Sequence, residues 1–213
     1  MVYGSRAILS STDAASPLSV TPPETALLLL DYQNIVVSRL ADAAPIVLNT
    51  ARQMRDWALS KGMLVYHCVF DARPGSRPFP RSKMALNWRM IEDKFASLPE
   101  LGYEADVLAP IDPGQERMVV RPPGIVSALE SAGLLEELAQ RGVKSLMLCG
   151  LTTSGCVLST ARQAADRGFI VTVVEDACFD PVPGLHGMLS AHVLPATAHV
   201  VISAELKDAW KVL

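Results

Sequence analysis

The sequence has no long apolar run, no excess of basic residues and no typical secretory leader. None of its apolar stretches reaches the roughly 20 residues that a membrane-spanning helix needs. The N-terminus lacks a basic start followed by an apolar segment, so we expect no secretory signal. With a formal net charge of −3, the chain has no lysine and arginine stripe to neutralise phosphates. These absences predict a chain that binds neither a membrane nor nucleic acid.

Cysteines are few, and their spacing matches no common metal or redox motif. They are Cys68, Cys149, Cys156 and Cys178, which form neither a zinc clip nor a CxxC pair. Free thiols are typical of a reducing compartment, so we predict a cytoplasmic protein. The sequence indicates no cofactor, and we expect none.

Short apolar runs alternate with amphipathic segments along most of the chain. Half of the residues are hydrophobic and 19 % are charged, as in an ordinary globular domain. The apolar runs predict six strands, at residues 26–31, 63–70, 117–121, 145–149, 169–174 and 199–203. Helical spacing between these runs predicts helices at residues 45–60, 82–96, 131–140, 184–193 and 204–212. Because helices separate the strands, we predict a three-layer αβα sandwich with a mostly parallel sheet. Residues 21–213 are expected to form one domain, preceded by an N-terminal arm at residues 1–20 that lies on a neighbouring subunit.

The stretch 144–160, KSLMLCGLTTSGCVLST, contains the strongest candidate for a catalytic residue. A buried strand is followed by a tight polar turn at 151–155 and then by helical spacing. Cys156 therefore stands where a helix begins, beside free backbone N–H groups and the positive end of the helix dipole. Such a position predicts a nucleophilic thiol with a lowered pKa, next to donors for an oxyanion. The alternative from position alone is a buried structural cysteine.

Two charged residues stand at the ends of other predicted strands. Asp31 ends the run ALLLLD, and Arg121 ends the run RMVVR. Since loops after parallel strands meet at one edge of a sheet, we expect Asp31, Arg121 and Cys156 at the same edge. For Asp31 alone, a turn or helix cap is the competing interpretation. For Arg121, it is a structural ion pair with Asp31.

Three segments of the chain resemble the isochorismatase-like cysteine hydrolases, a family that includes nicotinamidases, ureide hydrolases and isochorismatase. They are LLLLDYQN, SALESAGLLEELAQRGV and LCGLTTSGCVLSTARQAADRGFIVTVVEDAC, and the resemblance extends over nearly the whole chain from about Thr25. It implies that Cys156 is the nucleophile, that Asp31 is the acid and base, and that the N–H groups of Thr152 and Cys156 form the oxyanion hole. It also implies a cis peptide bond between Leu151 and Thr152.

The sequence departs from this family at the third catalytic position. The family has a lysine on the third strand, whereas this chain offers Arg121, with a short insertion before residues 127–129. Arginine supplies the positive charge but cannot give up a proton at working pH. The family's zinc motif, an Asp followed by two closely spaced His, has no counterpart among the four histidines, so we predict no metal.

The leading interpretation is a cysteine hydrolase that cleaves a C–N bond of a small amide, carbamoyl or ureide substrate through a thioester. Two alternatives remain open: an isochorismatase-type vinyl-ether hydrolase, and a relative that binds small molecules without catalysis. Further candidates for substrate contacts are Gln33, Arg81, Trp88 and Thr153. The competing interpretation is hydrogen bonding at a turn for Gln33, a solvated loop charge for Arg81 and core packing for Trp88. The family resemblance also implies a homodimer or homotetramer.

Overall fold

The computed structural model describes residues 9–72, 75–76, 81–87 and 114–212. The strands are β1 Thr25–Leu30, β2 Leu64–Phe70, β3 Glu116–Arg121, β4 Ser145–Leu151, β5 Ile170–Phe179 and β6 His199–Val201. They form one six-stranded sheet in the order β3-β2-β1-β4-β5-β6, and each neighbouring pair is parallel. The prediction of a mostly parallel sheet of about six strands is confirmed.

Helices cover both faces of this sheet. They are α1 Asn34–Val37, α2 Ala44–Ser60, α3 Leu134–Gln140, α4 Leu158–Asp166, α5 Leu185–His192 and α6 Ser203–Ala209. Helices α2 and α6 pack into one apolar core, whereas α3 and α4 pack into the core on the opposite face. The predicted αβα sandwich is thus confirmed. In the described ranges no helix is both long and apolar enough to cross a membrane.

The central strands β1 and β4 are buried along their whole length. In β1, Leu28 and Leu30 pack into the core beneath α3 and α4, while Leu27 and Leu29 pack against α2. Because helices exclude water from both faces, each position of the strand is apolar and no polar alternation appears. The two strands also approach closely near their carboxyl ends. A Cβ at Gly150 would lie 2.5 Å from the Leu30 Cβ, so only glycine fits there.

Several element boundaries differ from the sequence prediction. Strand β5 continues to Phe179, because it keeps pairing with β4 after an irregularity between Leu148 and Gly150. The helix predicted from residue 131 begins only at Leu134, after Gly133 adopts a left-handed conformation with φ of 76°. Of the helix predicted at 82–96, residues 83–87 are helical, Ser82 lies in a bend before them, and residues 88–96 lie outside the described residues.

The described part of the N-terminal arm packs on its own domain. Leu18 is buried and joins the core between the sheet and α2. The carbonyl oxygen of Ala15 lies 2.8 Å from Nε2 of His199, at the start of β6. Residues 14–18 therefore lie against the sheet edge formed by β6, and the contact of the arm with a neighbouring subunit stays a prediction. Residues 1–8 lie outside the described part.

Candidate active site

Asp31 follows the last residue of β1 and has an unusual backbone conformation. Its φ is 57°, in the left-handed region that few residues other than glycine adopt. Its backbone N–H donates to the carbonyl of Cys68 at 2.9 Å, which ties the turn to the neighbouring strand. The side chain is almost completely buried. Backbone outliers of this kind concentrate at functional sites.

Arg121, the last residue of β3, forms a bidentate ion pair with Asp31. Its Nη1 and Nη2 donate to Oδ1 and Oδ2 of Asp31 at 2.7 and 2.6 Å. Its Nε donates to the carbonyl of Ile125 at 2.8 Å, and the guanidinium lies 5.7 Å from the centre of the Phe70 ring. The side chain thus spans the end of β2 between β3 and β1. Burial opposes the charge of Arg121, but the thiolate that Cys156 forms at high pH and the Asp31 carboxylate raise the pKa of Arg121 above its ordinary value.

Cys156 lies in a turn of π-helix, Thr153–Val157, between β4 and α4. Its thiol is buried, with Sγ 3.8 Å from Oγ1 of Thr160. Burial and the Asp31 carboxylate raise the pKa of the thiol to about 12, although Arg121 and the Thr160 hydroxyl oppose the shift. The prediction of a lowered pKa is therefore wrong. The π-turn separates Cys156 from the start of α4, and the loss of hydration outweighs the dipole of a nine-residue helix.

The turn between β4 and Cys156 is held from both sides. The peptide bond between Leu151 and Thr152 is cis, as the family resemblance implies. The Ser154 N–H donates to Oδ2 of the buried Asp180 at 2.9 Å. The Thr153 hydroxyl lies 2.8 Å from Nδ1 of His186, the second residue of α5. Sequence reasoning missed these two anchors, because nothing local links residues 180 and 186 to the turn.

The backbone N–H of Thr152 is free to bind a ligand. Among the described residues it has no hydrogen-bond acceptor, although Thr152 lines the same cavity as Cys156. A buried or half-buried N–H without an acceptor is uncommon in folded proteins. This is the property that an oxyanion hole requires.

These residues line a cavity of about 210 Å³ at the carboxyl end of the sheet, which we call the active-site cavity. Asp31, Arg121 and Cys156 all line it, so the structure brings the three predicted residues together. The rest of the wall is mainly apolar, formed by Ile35, Val36, Phe70, Met84, Ile125, Val126 and Leu151. Arg39 is a further charged residue of the lining and was not anticipated from the sequence. The available signal was its spacing of four residues, about one helical turn, from Ile35.

Three other predicted contact residues, Gln33, Thr153 and Arg81, are not among the described residues that line this cavity. The Gln33 side chain donates to the Phe70 carbonyl at 3.0 Å and accepts from the Phe70 N–H at 3.1 Å. Gln33 thus holds the end of β2, as the turn interpretation proposed. The Thr153 hydroxyl is directed to His186 instead of the cavity. Arg81 is exposed and absent from the lining, and Trp88 lies outside the described residues.

A larger, open groove of about 1130 Å³ lies where β5 and β6 begin. It is remote from the three charged or nucleophilic residues above, and its lining contains no cysteine. Ligands of open α/β sheets bind at the carboxyl ends of the strands, which favours the smaller cavity. Within the described ranges, no three His, Cys, Asp or Glu side chains lie together as a metal site would require.

Comparisons with known proteins agree on one family. The model of the isochorismatase domain matches residues 25–205. Streptothricin hydrolase from Streptomyces noursei is 29 % identical over 177 residues, which are 82 % of this chain and 60 % of that protein. Ureidoacrylate amidohydrolase from Variovorax paradoxus is 28 % identical over 182 residues, 76 % of this chain and 71 % of that protein. The chain therefore spans about three fifths of the length of the streptothricin hydrolase.

Solved structures show the same fold. An isochorismatase family protein from Burkholderia thailandensis superimposes with a TM-score of 0.69 at 21 % identity, covering 89 % of this chain and 96 % of that one. N-carbamoylsarcosine amidase from Thermoplasma acidophilum superimposes with a TM-score of 0.58 at 20 % identity, covering 84 % and 96 %. At these identities the likeness concerns the fold.

Proposed function

The chain belongs to the isochorismatase family, and we propose that it is a cysteine hydrolase that cleaves a C–N bond of a small amide, carbamoyl or ureide compound. The observation that carries the proposal is the convergence of Cys156, Asp31 and the unpaired Thr152 N–H on one cavity. Nucleophile, base and oxyanion donor are the three parts that acyl transfer needs. The names of two relatives, streptothricin hydrolase and ureidoacrylate amidohydrolase, support the same reaction class.

The first half of the reaction forms a thioester. The thiol is neutral at pH 7 because its pKa is about 12, so its proton leaves only as the sulfur attacks. Asp31 accepts that proton while Sγ of Cys156 bonds to the substrate carbonyl carbon. The Thr152 N–H stabilises the negative charge that develops on the carbonyl oxygen. Asp31 then protonates the nitrogen, the C–N bond breaks and the amine leaves.

The second half of the reaction restores the thiol. Asp31 removes a proton from water, which attacks the thioester, and the released sulfur takes the proton back. Arg121 remains protonated throughout, because its pKa is raised above an already high value. Its role is to hold both Asp31 oxygens in place and to balance the charge as a proton moves between Asp31 and Cys156.

The cellular compartment and the oligomeric state of the protein are also proposals. All four cysteines are free and buried, which fits a reducing cytoplasm. We expect a homodimer or homotetramer that acts on small molecules without a cofactor. Sedimentation and native mass spectrometry of the purified chain would test the assembly.

The reaction is tested with a panel of primary amides and ureides and an assay for released ammonia. Wild-type protein is compared with Cys156→Ala and with Cys178→Ala, a change at a second buried cysteine outside the active-site cavity. We expect activity in the wild type and in Cys178→Ala only, together with an acid-stable acyl adduct on Cys156 in peptide mass spectrometry. Ammonia release that persists in Cys156→Ala would contradict the proposal. Vinyl-ether hydrolysis that needs Asp31 but not Cys156 would support the isochorismatase-type alternative.

A further inference from the structure

Arg39 is placed at the active-site cavity by the short helix that follows Asp31. Helix α1 carries Ile35 and Val36 into the cavity wall, and Arg39 lies four residues after Ile35 on the same side. Its backbone N–H donates to the Val36 carbonyl at 3.1 Å, which continues the helical path. Arg39 is an exposed residue that also lines the cavity, so it forms part of the cavity's opening.

The charge of Arg39 is the one that the rest of the cavity leaves unbalanced. Asp31 and Arg121 neutralise each other through two hydrogen bonds of 2.7 and 2.6 Å. The Cys156 thiol is uncharged at neutral pH. Arg39 forms no ion pair or side-chain hydrogen bond with any part of the chain that the structure describes. Among the described lining residues, the net charge is therefore +1 and lies at Arg39.

We propose that Arg39 selects substrates that carry a carboxylate at the end opposite the scissile carbonyl. The inference rests on the proposed hydrolase function and names its substrate class, a small ω-amido or ω-ureido acid. The carbonyl lies at Cys156, a short apolar spacer lies against the Val36 side of the wall, and the carboxylate accepts hydrogen bonds from the Arg39 guanidinium. Arginine matches a carboxylate geometrically through two parallel N–H donors.

The size and polarity of the cavity suit such a substrate. The cavity, of about 210 Å³, is large enough for a chain of a few carbons between the two functional groups. Among the described lining residues, Arg39 is the one charged side chain that the Asp31–Arg121 pair leaves available to a charged group. An ammonium group in the position of the carboxylate would face Arg39 and be repelled.

The charge effect of Arg39 can be measured on Cys156 without any knowledge of the substrate. Iodoacetate and iodoacetamide both alkylate sulfur through a CH2 group. Iodoacetate carries a carboxylate, whereas iodoacetamide carries a neutral amide. The ratio of their alkylation rates at Cys156, read by peptide mass spectrometry at pH 9, cancels any change in thiolate population. Relative to the wild type, we expect the iodoacetate-to-iodoacetamide ratio to fall about three- to tenfold in Arg39→Met and further in Arg39→Glu.

Two matched variants make this measurement specific. Arg162→Met removes an exposed arginine of α4 that does not line the cavity, and should leave the ratio unchanged. Arg81→Met tests the arginine that the sequence predicted as a substrate contact, and should also leave the ratio unchanged. An unchanged ratio in both Arg39 variants would overturn the proposal, whether or not the protein hydrolyses amides. A fall in Arg81→Met of the size expected for Arg39→Met would move the assignment to Arg81 and equally overturn it.

Hydrolysis then tests the substrate class. Succinamate is compared with butyramide, and 3-ureidopropionate with propylurea, because each pair replaces a carboxylate with a methyl group. We expect kcat/KM to favour the acid of each pair at least tenfold in the wild type, and this preference to be lost in Arg39→Met. Equal turnover within both pairs would overturn the substrate class. Absence of any hydrolysis, with a ratio that still depends on Arg39, would instead reject the hydrolase function and retain Arg39 as a carboxylate-binding residue.

Discussion

The raised pKa of Cys156 predicts a pH profile that distinguishes two kinds of cysteine enzyme. With a pKa of about 12 against about 8.5 for an ordinary thiol, the thiolate fraction at pH 7 is about 10⁻⁵ rather than a few per cent. Alkylation of Cys156 by iodoacetamide should therefore be about three orders of magnitude slower than that of an exposed thiol. Because a raised thiol pKa favours the neutral form, the rate should increase tenfold with each pH unit through pH 10. No plateau should appear between pH 5 and 9.

Replacement of Asp31 by Asn tests the electrostatic part of this shift. Burial is the largest cause of the raised pKa of the thiol, the Asp31 carboxylate raises that pKa further, and Arg121 lowers it. Asp31→Asn removes the effect of the carboxylate and leaves that of Arg121, so alkylation at pH 8 should become about tenfold faster or more. Hydrolysis should be abolished in the same variant, because no base remains. Opposite changes in the two rates are not expected from general unfolding or loosening of the site.

The assay follows each cysteine separately by peptide mass spectrometry from pH 5 to 10. Asp166→Asn, an exposed change at the end of α4, serves as the matched control and should behave like the wild type. Rapid alkylation of Cys156 with a plateau near pH 6 would refute the reasoning, because it would mean a preformed thiolate. Slower alkylation in Asp31→Asn would refute it too, since the carboxylate would then be assisting ionisation in the resting protein.

Three further predictions concern the supports of the site, and urea unfolding checks each of them. Arg121→Met should lower the free energy of unfolding by about 3–5 kcal/mol, because it leaves the buried Asp31 carboxylate unpaired. The double variant with Asp31→Asn should recover most of this loss. Additive losses in the double variant would contradict the ion pair. Gly150→Ala should cost about 1–3 kcal/mol, because its Cβ would lie 2.5 Å from a neighbouring side chain of β1; a wild-type midpoint would contradict the close packing of β1 and β4. His186→Ala should cost about 1 kcal/mol and also lower kcat, because it leaves the buried Thr153 hydroxyl without its partner. An unchanged kcat would show that this anchor does not position the turn.

The general position of the site was predictable because it depends on local patterns. Continuous apolar runs identify β1 and β4 as strands buried on both faces. Asp31 follows β1, Cys156 lies in the turn after β4, and Arg121 ends β3, an edge strand whose Met118 and Val120 are exposed. In a parallel sheet these ends share one edge, so three residues distant in sequence were expected together before any coordinates. The bidentate contact of Arg121 with Asp31 also agrees with one of the two interpretations left open for the arginine.

The sequence by itself therefore determined the strands of the sheet, their parallel arrangement and the residues at its carboxyl edge, because periodicity and turn residues are properties of neighbouring positions. Tertiary structure alone decided the charge state and the surroundings of those residues. Burial beside Asp31 reversed the expected direction of the Cys156 pKa shift. Contacts with His186 and Phe70 removed Thr153 and Gln33 from the cavity lining, while the path of α1 added Arg39. Desolvation and hydrogen bonding depend on groups that the fold brings together from different elements. No local sequence pattern identifies these groups.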